Sequence, residues 1–413
     1  MTKSFCATLC SRRVLVVLTL GFLACASVPP QWAPGRVSSS LVGLCPDPGD
    51  PTPQEWTTYA SWGVKWVRQG FFWSAVEPQR GDWHWAWTDR YVRRAEERGL
   101  KVLAVLDYSV PWFQSLKDYL TYVRAVVQRY RGRVAAYEIW NEPNLGTFWR
   151  GSREDYLTMA KAALQVIREE DPHALTVVGA LSLVPQDWLD ALQKSGLLQR
   201  ADFLSIHAYG IDAEASLQET DQALAFLKQH HDQAKLLVTE VGYPTGGWYP
   251  TAASPEVQAA RLLQYYAGAA ARGVGAVFWY TSRDQNTNVG ETWNSEAYFG
   301  LETAQGTDKP AVLAYTLLAQ VLPGSEFLAH GPWDETFHQQ GFQVLNFQKG
   351  ERLIVILETK AQSANLSLPE SCRVLWPLQV SKTQGELRFP PWSVVMLESK
   401  TLTQAKLQTI PGT

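Results

Sequence analysis

The chain has 413 residues, a formal net charge of −3 at pH 7 and 46% hydrophobic residues. The near-neutral charge excludes a basic nucleic-acid-binding protein and an acidic disordered tail, and the apolar content excludes a largely disordered or collagen-like chain. We therefore expect a globular protein with one large core and a smaller second domain. Aromatic residues are unusually frequent, with 18 Trp, and such side chains accumulate in sugar-binding clefts as well as in cores.

The N-terminus resembles an export signal. Three basic residues precede an apolar run over 14–24, which is short for a membrane span but suits the core of a signal peptide. We predict a signal peptide over 1–26, with either cleavage after small residues or a lipid anchor on Cys25, whose surroundings are similar to a bacterial lipobox. An uncleaved membrane anchor is the third alternative. A Pro-, Gly- and Ser-rich linker over 27–39 follows, and the mature chain would be secreted or held at the cell envelope.

From residue 40 to 323, short apolar runs rich in β-branched residues alternate with longer amphipathic stretches. The short runs predict eight strands: Leu41–Cys45, Trp66–Phe72, Val102–Asp107, Ala135–Trp140, Thr176–Ala180, Phe203–His207, Leu236–Glu240 and Ala276–Tyr280. The longer stretches predict eight helices: Pro53–Trp62, Ala86–Arg98, Leu116–Tyr130, Arg153–Glu169, Pro185–Lys194, Leu217–His230, Pro255–Arg272 and Lys309–Val321.

Eight such strand and helix units with continuous apolar strands predict an α/β fold, a (β/α)8 TIM barrel over 40–323. A doubly wound open sheet is the main competitor, but no Gly-rich phosphate-binding fingerprint follows the first strand. Beyond the barrel, short strands without a helical period predict a small C-terminal all-β, sandwich-like domain over 324–400. We expect this domain to pack against the barrel, and residues 401–413 to form a tail.

Two of the predicted strands end in carboxylates. Asn141 and Glu142 end the fourth strand in Trp-Asn-Glu-Pro-Asn, and Glu240 ends the seventh in Thr-Glu-Val-Gly. In a parallel barrel the C-terminal strand ends converge on one mouth, so we expect both carboxylates to face it. Cleavage of a glycosidic bond needs an acid for the leaving oxygen and a second carboxylate for the anomeric carbon. The pair therefore predicts a glycosidase.

These two motifs resemble those of glycoside hydrolase clan A, the retaining (β/α)8 enzymes. The resemblance covers about residues 40–322 and is greatest to family 39, with family 5 second. It implies that Glu142 is the acid/base, that Glu240 is the nucleophile and that Asn141 binds the sugar 2-hydroxyl. It also implies hydrolysis by double displacement, with the two carboxylates about 5–5.5 Å apart.

The same resemblance implies contacts at other strand ends. Arg68 on the second strand is expected to hydrogen-bond the nucleophile and keep it charged. His207 and Tyr209, which end the sixth strand, are expected to contact substrate and nucleophile, and Trp279 on the eighth is expected to form a sugar platform. One departure stands out: the third strand ends in Asp107, where many clan members carry a histidine.

Aromatic loops follow several of the strands. Trp73 and Trp149 are predicted substrate contacts, and the runs Trp83–Trp87 and 246–249 are candidates for the walls of a groove that holds more than one sugar ring. Each of these rings also has the simpler interpretation of packing within its own loop.

The predicted partner is an oligosaccharide or polysaccharide, and we expect a monomer that binds no nucleic acid. Scattered histidines and the lack of a nucleotide fingerprint predict no metal and no cofactor, and Cys45 and Cys372 make no disulfide framework. The alternative is a non-catalytic carbohydrate-binding surface protein on the same barrel, which two complete glutamate motifs disfavour. Exo or endo action, and hydrolysis or transglycosylation, stay open.

Overall fold

The computed structural model describes residues 35–46, 50–230, 232–247, 252–285, 294–331, 334–339, 342–359, 364–366, 372–376, 382–383, 386–389 and 394–400. The predicted signal peptide with Cys25, most of the linker, residues 248–249 and the tail over 401–413 lie outside the described residues. Within them, no helix combines the length and apolar character that crossing a membrane requires.

The chain enters through a short strand, β1 (Gly35–Arg36), and then forms eight parallel strands that close into a barrel in chain order. These are β2 (Val42–Cys45), β3 (Trp66–Gly70), β4 (Lys101–Leu106), β5 (Ala136–Ile139), β6 (Leu175–Ser182), β7 (Phe203–His207), β8 (Lys235–Val241) and β9 (Val277–Tyr280). The barrel closes where β9 pairs with β2, with Val42 opposite Val277. The predicted barrel is therefore confirmed, and each predicted strand is found to within two residues at either end.

Helices follow the strands and cover the barrel. They are α1 (Pro53–Ser61), α2 (Trp73–Val76), α3 (Ala86–Glu96), α4 (Leu116–Arg129), α5 (Arg153–Glu170), α6 (Gln186–Lys194), α7 (Ala213–His230), α8 (Pro255–Ala271), α9 (Pro310–Val321) and α10 (Asp334–Gln339), with a 3-10 turn over Ser295–Tyr298. Polar caps fix several starts: Thr52, Ser152 and Ser254 each accept the backbone N–H three residues on. The short helices α2 and α10 were not predicted.

Interlocking apolar side chains fill the barrel interior. Leu103, Val105, Val177 and Phe278 belong to one buried cluster there, which gives the barrel a packed core and not a pore. Gly43 on β2 makes room for the largest of them, since a Cβ at this position would lie 2.7 Å from the Phe278 ring.

The strands beyond α9 form two antiparallel sheets. The larger one also takes in β1 and has six strands in the order β1-β10-β11-β12-β17-β14, and the smaller one has the order β13-β16-β15. The strands are β10 (Glu326–Leu328), β11 (Phe342–Lys349), β12 (Arg352–Thr359), β13 (Ala364–Leu366), β14 (Cys372–Trp376), β15 (Lys382–Thr383), β16 (Glu386–Phe389) and β17 (Val394–Lys400). The larger sheet packs on α8, where Gln264 donates a hydrogen bond to Glu358. Residues 35–36 were predicted to lie in the linker but form an edge strand of this sheet, opposite 326–327.

We expect Gly43→Ala to lower the free energy of unfolding by about 1–3 kcal/mol, because an added methyl group overpacks the barrel interior against Phe278. Urea unfolding followed by tryptophan fluorescence measures the change. Gly146→Ala is the matched control: a Cβ there meets nothing within 4 Å, so stability should stay within about 0.5 kcal/mol. Equal stability of the two variants would contradict the packing argument.

Candidate active site

Polar side chains from four barrel strands meet at the C-terminal mouth of the barrel. Arg68 lies on β3, His207 ends β7 and Glu240 lies near the end of β8, while Asn141 and Glu142 follow β5 directly. Direct contacts join all five side chains into one group. The sequence predicted this set, and the barrel brings its members together because parallel strands all end at the same face.

The Arg68 guanidinium is the centre of the group. Its Nε donates to Glu138 Oε2 at 2.6 Å, Nη1 donates to Glu240 Oε1 at 2.5 Å and Nη2 donates to Asn141 Oδ1 at 2.7 Å. Burial would lower the pKa of Arg68, but the negative charges of Glu138 and Glu240 outweigh it and raise the pKa well above its usual value. The cation is therefore permanent, and its planar fork fixes its three partners relative to one another.

Glu240 receives hydrogen bonds on both oxygens. Besides Arg68 on Oε1, the Tyr209 hydroxyl donates to Oε2 at 2.8 Å, and His207 Nδ1 lies 3.6 Å from the same oxygen. Burial alone would raise the pKa of Glu240, but the charges of His207 and Arg68 and the two hydrogen bonds together lower it. This carboxylate is thus held in the ionised form, with each donor favouring the charge.

Glu142 contacts the same nitrogen of His207. His207 Nδ1 lies 2.9 Å from Glu142 Oε1. Since this nitrogen also lies 3.6 Å from Glu240 Oε2, the nearest oxygens of the two carboxylates are at most about 6.5 Å apart. His207 is fully buried, so it is a fixed spacer between them.

A strained turn aims Glu142 at the mouth. Trp140 and Glu142 have φ of 68° and 45°, in the left-handed region that side chains other than glycine rarely adopt. The backbone N–H of Glu142 donates to Ala180 on β6 at 3.0 Å, and that of Leu145 donates back to the Glu142 carbonyl at 3.0 Å. These bonds over-determine the turn, which is how strained conformations persist at functional sites.

Two predicted substrate contacts are wrong. Trp279 is fully buried, with its ring against Tyr243 and its indole N–H donating to the Phe299 carbonyl at 3.2 Å. On β9 the interior side belongs to Phe278 and Tyr280, so Trp279 faces the helices, because successive side chains of a strand alternate. The partly exposed Tyr280 therefore occupies the place at the mouth that was predicted for Trp279.

Trp73 is also fully buried. Its indole N–H donates to Glu77 Oε2 at 2.8 Å, and its ring packs against Trp112, Phe113 and Tyr122. It forms the core of the loop after β3 and leaves no ring face for a sugar, so the predicted contact to substrate is corrected here.

The other aromatic loops differ from one another. Trp149 is half-buried, with its ring edge-on to Trp140. Trp83 stacks on Trp85 with ring centroids 5.4 Å apart, and Arg129 lies over the Trp85 ring, so these rings pack against each other and against α4. Residues 248–249 of the predicted wall over 246–249 lie outside the described part of the chain.

Sequence reasoning passed over two other carboxylates. Glu138 is fully buried within β5 and pairs with Arg68 across the barrel; a charge inside an apolar strand was the signal that such a partner exists. Glu296 lies on the 3-10 turn after β9, and the pKa of its carboxyl is raised by partial burial and by the negative charges of Glu240 and Glu142. Nothing in its sequence context marked it.

Among the described residues no cluster of side chains suits a metal ion.

Comparison with known proteins gives consistent matches. Residues 43–285 match the sequence model of the family described as Cellulase (glycosyl hydrolase family 5). A β-xylosidase of Caldicellulosiruptor saccharolyticus is 25% identical over 226 residues, which are 50% of this chain and 45% of that protein. The match thus spans less than half the length of this relative.

Solved structures share the fold. A family 39 glycoside hydrolase from Bacteroides cellulosilyticus matches with a TM-score of 0.69 at 17% identity, covering 88% of this chain and 81% of that one. A family 39 β-xylosidase from Caulobacter crescentus matches with a TM-score of 0.63 at 18% identity, covering 89% of this chain and 97% of that one. Both matches include most of the C-terminal β region as well as the barrel.

We expect Tyr209→Phe to raise the pKa of Glu240, because the variant loses the hydroxyl that donates to Oε2 and favours the charged form. Carboxyl 13C chemical shifts followed through a pH titration measure this pKa. The control is Tyr156→Phe, whose lost hydroxyl donates to the Ile139 carbonyl outside the carboxylate group. An unchanged Glu240 titration in Tyr209→Phe would show that the hydrogen bond has no effect on the charge.

Proposed function

The chain belongs to the Cellulase family, glycosyl hydrolase family 5, and is a glycosidase; we propose that it is a retaining β-glycosidase that cleaves O-glycosidic bonds by double displacement. The resemblance to glycoside hydrolases that the two glutamate motifs indicated is therefore confirmed for the family and for the class of enzyme. Its substrate is a carbohydrate, and we propose Glu142 as the acid/base and Glu240 as the nucleophile.

The spacing of the two carboxylates supports the retaining mechanism most directly. Retaining enzymes place their carboxyl groups about 5–5.5 Å apart, whereas inverting enzymes need about 6.5–9.5 Å to admit a water molecule between the second carboxylate and the sugar. The contacts of His207 with both groups keep their nearest oxygens within about 6.5 Å of each other. This upper limit is compatible with the retaining spacing and lies at the lower edge of the inverting range.

In the first step, Glu142 donates its proton to the leaving oxygen as the bond from that oxygen to the anomeric carbon breaks. Glu240 attacks the same carbon from the opposite face and forms a covalent glycosyl ester. In the second step, Glu142 removes a proton from water, the water oxygen attacks the anomeric carbon and Glu240 leaves as a carboxylate. Two inversions give net retention, and Glu142 ends protonated for the next cycle.

The surrounding side chains fit these roles. Arg68 and Tyr209 stabilise the ionised Glu240, which must carry its charge in order to attack. We propose that Asn141, which Arg68 holds by its amide oxygen, presents its NH2 group to the sugar 2-hydroxyl. We propose that Tyr280, which is partly exposed at the mouth, contacts the sugar.

We propose a β-D-xyloside as the substrate class, since the relative from Caldicellulosiruptor saccharolyticus is a β-xylosidase. The leader predicted over 1–26 supports action outside the cytoplasm, either secreted or anchored at Cys25. We propose that the enzyme acts there as a monomer.

We expect the mature chain, from residue 28, to hydrolyse one or more members of a panel of aryl β-glycosides that includes the β-D-xyloside. Glu240→Gly should abolish turnover, and added azide should restore it by entering the vacated space and giving the glycosyl azide of inverted configuration. Product analysis by NMR identifies the configuration. Unaltered hydrolysis by Glu240→Gly would refute the nucleophile assignment, and a panel without any turnover would refute the glycosidase mechanism proposed here.

We expect Glu142→Ala to depend on the leaving group. Glycosides of poorly acidic alcohols need the proton and should lose about 10²–10⁴-fold in rate, whereas activated aryl glycosides should lose far less in the first step. Steady-state kinetics on a series of leaving groups with one sugar measures the difference, and Glu296→Gln provides a carboxylate control at the same mouth. Equal losses across the series would contradict an acid role for Glu142.

A further inference from the structure

Five large apolar side chains have an unusually exposed surface among the described residues. They are Phe113, Leu145, Leu183, Ile211 and Val257, with 37% to 63% of their surface accessible. Each lies between the end of a barrel strand and the first turn of the next helix, so all five lie at the mouth end of the barrel. Exposed apolar side chains beside an active site are candidates for contact with a ligand, and Leu145 and Leu183 are the two that lie on the loops next to Glu142.

Two of the five lie on the loops nearest Glu142, those after β5 and β6. The backbone N–H of Leu145 donates to the Glu142 carbonyl, which closes the turn that carries the acid/base. Leu183 follows Ser182, whose backbone N–H and carbonyl bond the Asn144 side chain at 3.0 and 2.9 Å, and its own N–H donates to the His207 carbonyl at 3.0 Å. The loops after β5 and β6 are therefore joined, with one exposed leucine on each.

The conformation of Leu183 gives no benefit to stability. Its φ of 60° is left-handed, a conformation that residues other than glycine rarely adopt. Its side chain is also 44% exposed, so burial of its apolar surface contributes little to the stability of the fold. An apolar residue held in a strained conformation and left in water, next to the acid/base, has the properties of a residue kept for a ligand.

We propose that Leu145 and Leu183 form an apolar subsite for the leaving group, and that the preferred substrate is a β-glycoside whose aglycone is an alkyl or aryl group and not a second sugar. The inference rests on the proposed function, because the acid that protonates the leaving oxygen must lie beside the aglycone. Ile211, 63% exposed and two residues after Tyr209, extends the same surface along the mouth.

The chemistry of these two side chains favours an apolar aglycone. Aliphatic side chains offer a sugar neither hydrogen bonds nor a flat ring face. The aromatic rings of the loop after β5 are already packed, since Phe148 stacks on Tyr108 with centroids 5.8 Å apart and Gly151 lies close against Trp149. An aglycone that reaches Leu145 and Leu183 therefore gains from apolar contact.

The test uses methyl, ethyl, butyl and hexyl β-glycosides of the sugar that the aryl panel identifies. The acidity of the leaving alcohol scarcely changes along this series, so the trend in kcat/KM reports binding of the chain. We expect kcat/KM to rise about twofold to fourfold for each methylene that the subsite covers. A kcat/KM that is flat from methyl to hexyl would overturn the apolar subsite.

Variants assign the effect to the two leucines. Leu183→Asn suits the left-handed backbone and removes the apolar group, and Leu145→Gln does the same on the other loop; each should reduce the hexyl-to-methyl ratio of kcat/KM several-fold. Val257→Gln is the matched control, because Val257 is similarly exposed but lies on α8, and it should keep the wild-type ratio.

The outcomes separate this inference from the proposed function. Unchanged ratios in both leucine variants would refute the assignment, and circular dichroism confirms that each variant is folded; Leu145→Gln carries the test if Leu183→Asn does not fold. Turnover of aryl glycosides with a flat alkyl series refutes the apolar subsite alone. If no aryl glycoside is hydrolysed, the proposed function is refuted, and this inference with it.

Discussion

The buried contact between Arg68 and the carboxylates of Glu138 and Glu240 is the interaction on which the site depends. A guanidinium taken out of water is tolerable only when its donors are satisfied, and removing one partner of such a pair costs about 3–5 kcal/mol. The three partners of Arg68 come from the region of β5 and from β8, so the bonds form only when the strands of the barrel are in register. The contacts that join β3, β5 and β8 are therefore the same ones that hold Glu240 ionised.

The two glutamates at the mouth differ because their neighbours differ. Glu240 accepts from Arg68 and Tyr209 and is held ionised, whereas the described contact of Glu142 within the group is with His207. We propose that this difference in neighbours leaves Glu240 to attack and Glu142 to transfer the proton. His207 contacts both carboxylates and so fixes their positions relative to each other.

The sequence predicted the barrel well because its signals are local. Each signal can be recognised from neighbouring residues alone: continuous apolar strands, polar helix caps, and glutamates at strand ends. The errors concern non-local facts: β1 is two residues long and is defined by its partner β10, and Glu138 finds Arg68 seventy positions away. The family resemblance put Trp279 at the mouth, but alternation along β9 gives the interior side to Phe278 and Tyr280, and β8 shifts register against β9 between Val238 and Val241.

Backbone strain is concentrated on one side of the mouth. Among the described residues, the non-glycine positions with positive φ are Trp140, Glu142, Ala180 and Leu183, all at the ends of β5 and β6. Each costs about 1–3 kcal/mol, and the paired bonds between Asn144 and Ser182 hold the two ends together. The Glu240 side of the mouth, in contrast, is stabilised by the Arg68 ion pairs. The barrel is therefore strained where we propose that the proton is delivered and the leaving group departs, because a relaxed turn would move Glu142 away from His207.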